Sequence, residues 1–214
     1  MKHPGERTDQ IATKLIAYLR DELNDTTIKY DSPLTQLQGG FETAIYRFQL
    51  VGTQKALNKH LVLRLYPEYY SPENAVWESS IQNALAKEGY PAAKAHFICT
   101  DKSIMGGAFF IMDFLRGKPM ITAPLETVPR ILGEAHAALH GIDPGTLIES
   151  LNEQGIDDNQ YSLDNRFDSL HHMVKELPWI SDGVDWLMGN RPSEARRPAI
   201  CHGDFHPLNI LIQE

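Results

Sequence analysis

The sequence predicts an α+β fold in two parts, an amino-terminal part built on a largely antiparallel sheet and a mostly helical carboxyl-terminal part. Three observations predict it. Apolar residues recur at helical spacing over residues 9–23. They alternate with polar ones in two runs, Thr43–Val51 and His60–Tyr66. After Gly117-Lys118-Pro119 the helical period returns and dominates.

In the first helix Ile11, Leu15, Tyr18, Leu19 and Leu23 form the stripe, with Thr8 or Asp9 placed to cap it. Ala44, Tyr46, Phe48 and Leu50 then alternate with Arg47 and Gln49, and a turn-rich stretch leads to a second strand that Pro67 ends. The pair reads as an antiparallel hairpin. Ser71-Pro72-Glu73 supplies a cap, a proline at the first helical position and an acid in the first turn. The helix it starts shows Trp77, Ile81 and Leu85 on one stripe and stops near Gly89-Tyr90-Pro91. Strands are expected at Ala95–Thr100 and Ala108–Phe114, separated by the polar turn Asp101–Gly107. Pro124–His140 reads as a helix with Leu125, Val128, Leu132, Ala135 and Leu139 in register and Gly141 as its stop. A polar loop, Asp143–Asn159, precedes helices at Leu163–Leu177 and Trp179–Met188. The chain closes with a short strand (Ala199–Cys201), a loop (His202–Asn209) and a second strand (Ile210–Ile212).

With 42% hydrophobic and 22% charged residues in 214, the chain can bury a core and is neither collagen-like, disordered nor membrane-spanning. A formal net charge of −8 argues against non-specific nucleic-acid binding, which needs a basic footprint to displace counterions. Cys99 and Cys201 make neither a disulfide framework nor a zinc site. The polar start MKHPGERTDQ lacks the features of a signal peptide, and no apolar run reaches membrane-spanning length, so a cytoplasmic location is expected.

The sharpest chemical signal is His202-Gly203-Asp204-Phe205-His206-Pro207-Leu208-Asn209. An Asp delivered into a polar loop, with an Asn five positions later, is the spacing that phosphoryl transfer asks for. The Asp accepts or orients the proton of an attacking hydroxyl while the Asn oxygen reaches a magnesium ion on the phosphates. His-x-Asp-x-His could also begin a binuclear metal site, but such sites need further His and Asp clusters after other strands. His136 and His140 sit at helical spacing without the Glu a zincin requires. Trp77, Trp179 and Trp186 read as packing residues.

The run CHGDFHPLNILI resembles the catalytic loop of the aminoglycoside phosphotransferase and choline kinase families, where Gly stands in place of the Arg of protein kinases. Leu37-Gln38-Gly39-Gly40-Phe41 followed by AIYRFQL resembles their Gly-rich loop, HLVLRLYP their third strand, and GGAFFIMDFLRGKPM the strand and hinge between lobes. LGEAHAALHGID is similar to their helix ending in Leu-His. The resemblance implies a protein-kinase-like two-lobed fold: an N-lobe over 1–115 that binds nucleotide, and a partial C-lobe over 116–214 with hinge and catalytic loop. It further implies transfer of the ATP γ-phosphate to a hydroxyl of a small molecule, with ATP and Mg2+ as cofactors. Asp204 would be the catalytic base and Asn209 a metal ligand. Arg64 would hold phosphate and pair with Glu78. Gly39 and Gly40 would let the backbone approach the phosphates. Asp113, Phe114 and Leu115 would offer backbone groups to the adenine.

The family carries a second metal-binding Asp after this loop, and the present sequence stops at Ile212-Gln213-Glu214. Weak or absent transfer by this chain alone is therefore the expectation, with self-association through uncovered apolar surface. The alternative is a non-catalytic nucleotide-binding or interaction module. A protein kinase proper is disfavoured by Gly203 in the Arg position.

Overall fold

The computed structural model describes residues 4–37, 42–54, 57–157, 162–191 and 199–213. Contacts divide the chain into two compact units, Met1–Val128 with His206–Glu214, and Pro129–Phe205.

The first unit is built on five antiparallel strands in the order β1-β2-β3-β5-β4: Lys29–Gln36, Ala44–Val51, His60–Leu65, Phe109–Asp113 and Ala95–Cys99 for β1, β2, β3, β5 and β4. The expected hairpin is present, with Tyr46 opposite Leu63 and Arg47 opposite Val62. One face buries Tyr46, Phe48, Leu50, Leu61, Leu63, Leu65, Phe109 and Ile111. Helix α1 (Pro4–Glu22) covers it with Ile11, Leu15 and Leu19, the stripe read from the sequence. Tyr18 meets the Phe109 ring edge-on at 5.0 Å. Arg20 donates to the Ile28 carbonyl at 3.0 and 2.8 Å, and Tyr30 Oη donates to Ala12 O at 2.8 Å, which ties the helix to β1.

Strand β1 had no alternating pattern to announce it. Its segment KYDSPLTQ is polar and holds Pro33, features tolerated only at a sheet edge, and its register shifts twice.

The opposite face carries α2 (Glu73–Lys87). The sequence pointed to Trp77, Ile81 and Leu85 as its buried stripe; the residues actually buried are Ala75, Ser79, Ser80 and Ala84. Small side chains let the helix approach the sheet over Tyr66, Ala95 and Phe110, whereas the large stripe stays half-buried. Asn83 fastens α2 to β4 by donating to Ala95 O at 3.2 Å and accepting from Ala95 N at 2.8 Å. Between β4 and β5 the expected turn contains a single helical turn, α3 (Lys102–Met105), capped by Asp101. Gly107 follows, and a Cβ there would stand 2.0 Å from the Tyr66 carbonyl oxygen.

Beyond β5 a two-stranded ribbon pairs β6 (Lys118–Pro119) with β7 (Leu211–Ile212). Met120 and Ile121 donate backbone bonds to the carbonyls of Ile210 (2.8 Å) and Pro207 (3.2 Å). Gly117 is required by this approach: a Cβ would lie 2.7 Å from Ile212 O.

The second unit is helical. Helices α4 (Val128–His140), α5 (Pro144–Asn152), α6 (Leu163–Glu176) and α7 (Ser181–Gly189) bury Leu139, Leu151, Phe167 and Val184. Two expectations are corrected here. The stretch 143–159 holds α5, because Asp143 accepts from Gly145 N at 2.9 Å and Pro144 opens the helix, whereas at α2 Pro72 stands at the start and no side chain caps it. Ala199–Cys201 is not a strand; it is irregular and Cys201 is exposed. Among the described residues no helix is long and apolar enough to cross a membrane.

Candidate active site

Strand β3 turns Leu61, Leu63 and Leu65 into the α1-facing core, so the period of two sends Arg64 to the other face, with Val62. Ile45 and Phe110 flank it across the strands. From α2, Glu78 reaches the guanidinium: Nη2 lies 3.0 Å from Oε2 and 3.3 Å from Oε1. The ring of Tyr66 sits beneath, with Arg64 Cζ 5.8 Å from its centroid. Burial first, and then the charge of Glu78, push the Tyr66 phenol well above its ordinary pKa, so it stays protonated. Arg64 Nε is buried and has no hydrogen-bond partner among the described residues. A buried guanidinium N–H without an acceptor carries a desolvation penalty of about 1–3 kcal/mol, which an incoming anionic oxygen removes.

At the end of β5, Asp113 meets two nitrogens at one oxygen. Oδ1 lies 2.7 Å from Lys59 Nζ and 2.5 Å from His96 Nε2. Burial acts to raise the carboxyl pKa, but the hydrogen bonds and charges of Lys59 and His96 outweigh it, and the net shift is downward. The Asp113 and Phe114 amides are committed to the carbonyls of Lys94 (2.9 Å) and His60 (3.2 Å). Of the three residues expected at the hinge, Leu115 keeps its amide out of these two bonds, so a base docking there would draw on that amide or on the carbonyls. Lys59 and His96 gave no signal in the sequence.

The terminal loop divides between the units. His202–Phe205 close the second and His206–Asn209 open the last segment of the first. Gly203 has φ +81°, a left-handed conformation that explains glycine at this position better than mere smallness does. Asp204 is exposed, and its amide donates to His202 Nδ1 at 3.3 Å. Phe205 stacks on His136 of α4, with ring centroids 4.8 Å apart. Asn209 is placed by the ribbon, one residue before the Ile210 carbonyl that accepts from Met120, and its side-chain nitrogen lies 3.1 Å from His206 Nε2. With Nδ2 at the ring, the side-chain oxygen is the atom suited to a hard cation. The expected Gly39 and Gly40 lie outside the described residues. Among the described residues no cluster of three or more His, Cys, Asp or Glu is arranged to hold a metal ion.

The structure brings Arg64 and Glu78 together, sets 113–115 at the end of the same sheet, and fixes Asn209 on the ribbon that follows it. An antiparallel five-stranded sheet carrying an Arg–Glu pair between its third strand and the next helix defines a kinase-like phosphotransferase fold. A solved structure described as a "putative aminoglycoside phosphotransferase" from Ralstonia eutropha agrees, with a TM-score of 0.60, 24% identity, and coverage of 94% of this chain and 60% of that one. The profile of the phosphotransferase enzyme family matches residues 33–214, and the chain belongs to that family. Among curated proteins it is similar to acyl-CoA dehydrogenase family member 11 of Pongo abelii, 26% identical over 194 residues, and of Homo sapiens, 25% identical over 194. Each match takes in 84% of this chain and 22% of the relative, so the chain spans about a fifth of the length of the curated relatives it matches.

Proposed function

We propose that the chain transfers the terminal phosphoryl group of a nucleoside triphosphate, ATP in the family it resembles, to a hydroxyl of a small molecule. One observation carries the reading: Arg64 is oriented by Glu78 and Tyr66 while its buried Nε lacks an acceptor. That is the state of a group built to take an anionic oxygen, and guanidinium matches phosphate oxygens in a planar fork. In this reading Arg64 holds phosphate oxygens, Asp204 orients the acceptor hydroxyl and takes its proton, and Asn209 supplies an oxygen to the metal. In this reading residues 1–115 bind nucleotide, and 116–214 carry the catalytic loop. Magnesium, when bound with the nucleotide, would neutralise charge on the phosphates. A formal net charge of −8 argues against nucleic acid as the substrate.

The test separates binding from chemistry. Calorimetric titration with ATP and magnesium is expected to show binding that Arg64→Ala weakens by about tenfold or more, the scale of a charge-assisted contact. Equal affinity in both proteins would refute the role of Arg64. No binding in the wild type would refute the reading.

A further inference from the structure

Helix α4 carries two histidines one turn apart near its end, and the proposed phosphotransfer uses neither. His136 is half-buried, and His140, the last residue of the helix, is exposed. Positions i and i+4 share a helix face, and here the two imidazole rings lie beside each other, centroids 4.1 Å apart and planes inclined at 51°. Phe205 stacks on His136 from the loop, its plane inclined by 20°. All three residues belong to the second unit.

Three features set the pair apart from ordinary surface histidines. Among the described residues no hydrogen bond or ion pair occupies a nitrogen of either ring. Glu134, the carboxylate closest in sequence, is committed to Arg130 at 2.9 and 3.0 Å. Stacking engages the face of the His136 ring, so Phe205 fixes its orientation without covering the edge where the nitrogens sit.

We infer that His136 and His140 chelate a divalent transition-metal cation, Cu2+ or Ni2+ in preference to Zn2+. Neutral imidazole is a ligand for all three, and helical histidines at i and i+4 can share one ion. The ring spacing chooses among the metals. With metal–nitrogen bonds of about 2.0–2.1 Å, two imidazoles on one ion have centroids about 4.5 Å apart at the right angle of square-planar or octahedral coordination. At the tetrahedral angle that zinc adopts, the separation is about 5.1 Å. The observed 4.1 Å lies nearer the first, and a small turn of the exposed His140 ring reaches it. Two protein ligands are fewer than a resident structural or catalytic metal has, so water completes the coordination and the cation exchanges with solvent.

The experiment titrates Cu2+, Ni2+ and Zn2+ calorimetrically into the parent chain, His136→Ala, His140→Ala, Phe205→Leu and, as a control, His171→Ala. All of them carry His3→Ala, so that the first three residues cannot chelate copper or nickel through the terminal amine. Each variant of the pair is expected to lose affinity for Cu2+ and Ni2+ by at least about tenfold to a hundredfold, the cost of removing even a group that only supports a ligand. Phe205→Leu should lose less, and the control nothing. Electron paramagnetic resonance of the copper-loaded parent should show coupling to two imidazole nitrogens, falling to one in His140→Ala. His140 is exposed, so its replacement leaves the core intact, and circular dichroism of each variant checks the fold. Affinity unchanged by His140→Ala, or coupling to a single nitrogen in the parent, overturns the inference. So does Zn2+ binding more tightly than both other cations.

Discussion

Gly107→Ala tests whether the close passage beneath Tyr66 holds the Arg64 strand in place. A Cβ at 107 would stand 2.0 Å from Tyr66 O, 3.1 Å from Tyr66 C and 3.5 Å from Leu65 Cδ1. The first distance is short of ordinary contact by about 1.4 Å. The obstacle is backbone, so no side chain can turn aside to relieve it. Either β3 or the turn into β5 must move, and the bond from Tyr66 N to Ala108 O, 2.9 Å long, spans that seam. Losing this bond and repacking Tyr66, which is buried, should destabilise the protein by about 3 kcal/mol or more. For a chain of this length that is a fall of about 6–12 °C in the thermal midpoint, followed by far-UV circular dichroism. Gly106→Ala is the control. Gly106 has φ +82° with nothing within 4 Å of the added atom, so only the left-handed backbone is penalised. That penalty is about 1 kcal/mol, or about 2–4 °C. If Gly107→Ala lowers the midpoint no further than Gly106→Ala does, the close-approach argument is wrong.

Glu78→Gln should shift stability by less than about 1 kcal/mol, since the Arg64 pair is partly exposed, yet weaken triphosphate binding by releasing the guanidinium; unchanged affinity in calorimetry would count against an orienting role. Asp113 has a carboxyl pKa below its ordinary 3.8, so the stability it contributes is full above that value and lost as pH falls through the lower folded one. Asp113→Asn should therefore show a smaller loss of stability between neutral pH and pH 3 than the wild type, and an equal loss in urea titrations would contradict the ion-pair account. Asp204→Asn should reduce phosphoryl transfer to a hydroxyl acceptor by about a hundred- to ten-thousandfold with nucleotide affinity retained, and a parallel loss of affinity would place Asp204 elsewhere in the reaction. Trp179 and Trp186 are 80% and 65% exposed, so replacing both with Ser should suppress concentration-dependent light scattering if apolar surface drives association.

The fold was legible wherever one side of an element is apolar and the other is not. In α1, β2 and β3 the buried residues follow from their positions, and periodicity located these elements within a few residues; β5 buries Phe109, Phe110 and Ile111 on both faces and was delimited by the polar turn before it. It failed where burial did not depend on large apolar side chains. Helix α2 presents Ala75, Ser79 and Ala84 to the sheet, a stripe that hydrophobicity ranks below Trp77, Ile81 and Leu85 but that geometry prefers, because closeness of approach outweighs side-chain area. Strand β1 is a mostly polar edge that gives the core only Leu34 and Tyr30, too few apolar positions to show a period. Helix α5 could have been read from Asp143-Pro144, given that Pro72 before Glu73 marked α2.

The candidate site divides along the same physical line. Arg64 could be assigned to one face because its neighbours Leu63 and Leu65 fix the pleat, while its pairing with Glu78 followed only from the family resemblance. Lys59 and His96 could not, since their meeting at Asp113 joins a loop end, the β4 edge and the end of β5 across 54 positions of sequence, and nothing local encodes it. The terminal loop is the reverse case. Its residues were singled out from spacing alone, because the separation that phosphoryl transfer asks of an Asp and an Asn does not depend on packing. Gly203 shows what spacing leaves out. The sequence says only that Gly replaces a larger residue, whereas φ of +81° shows the backbone turns left-handed one residue before Asp204. A side chain at 203 would strain that turn, so the smallest residue in the motif is the one that lets the backbone take it.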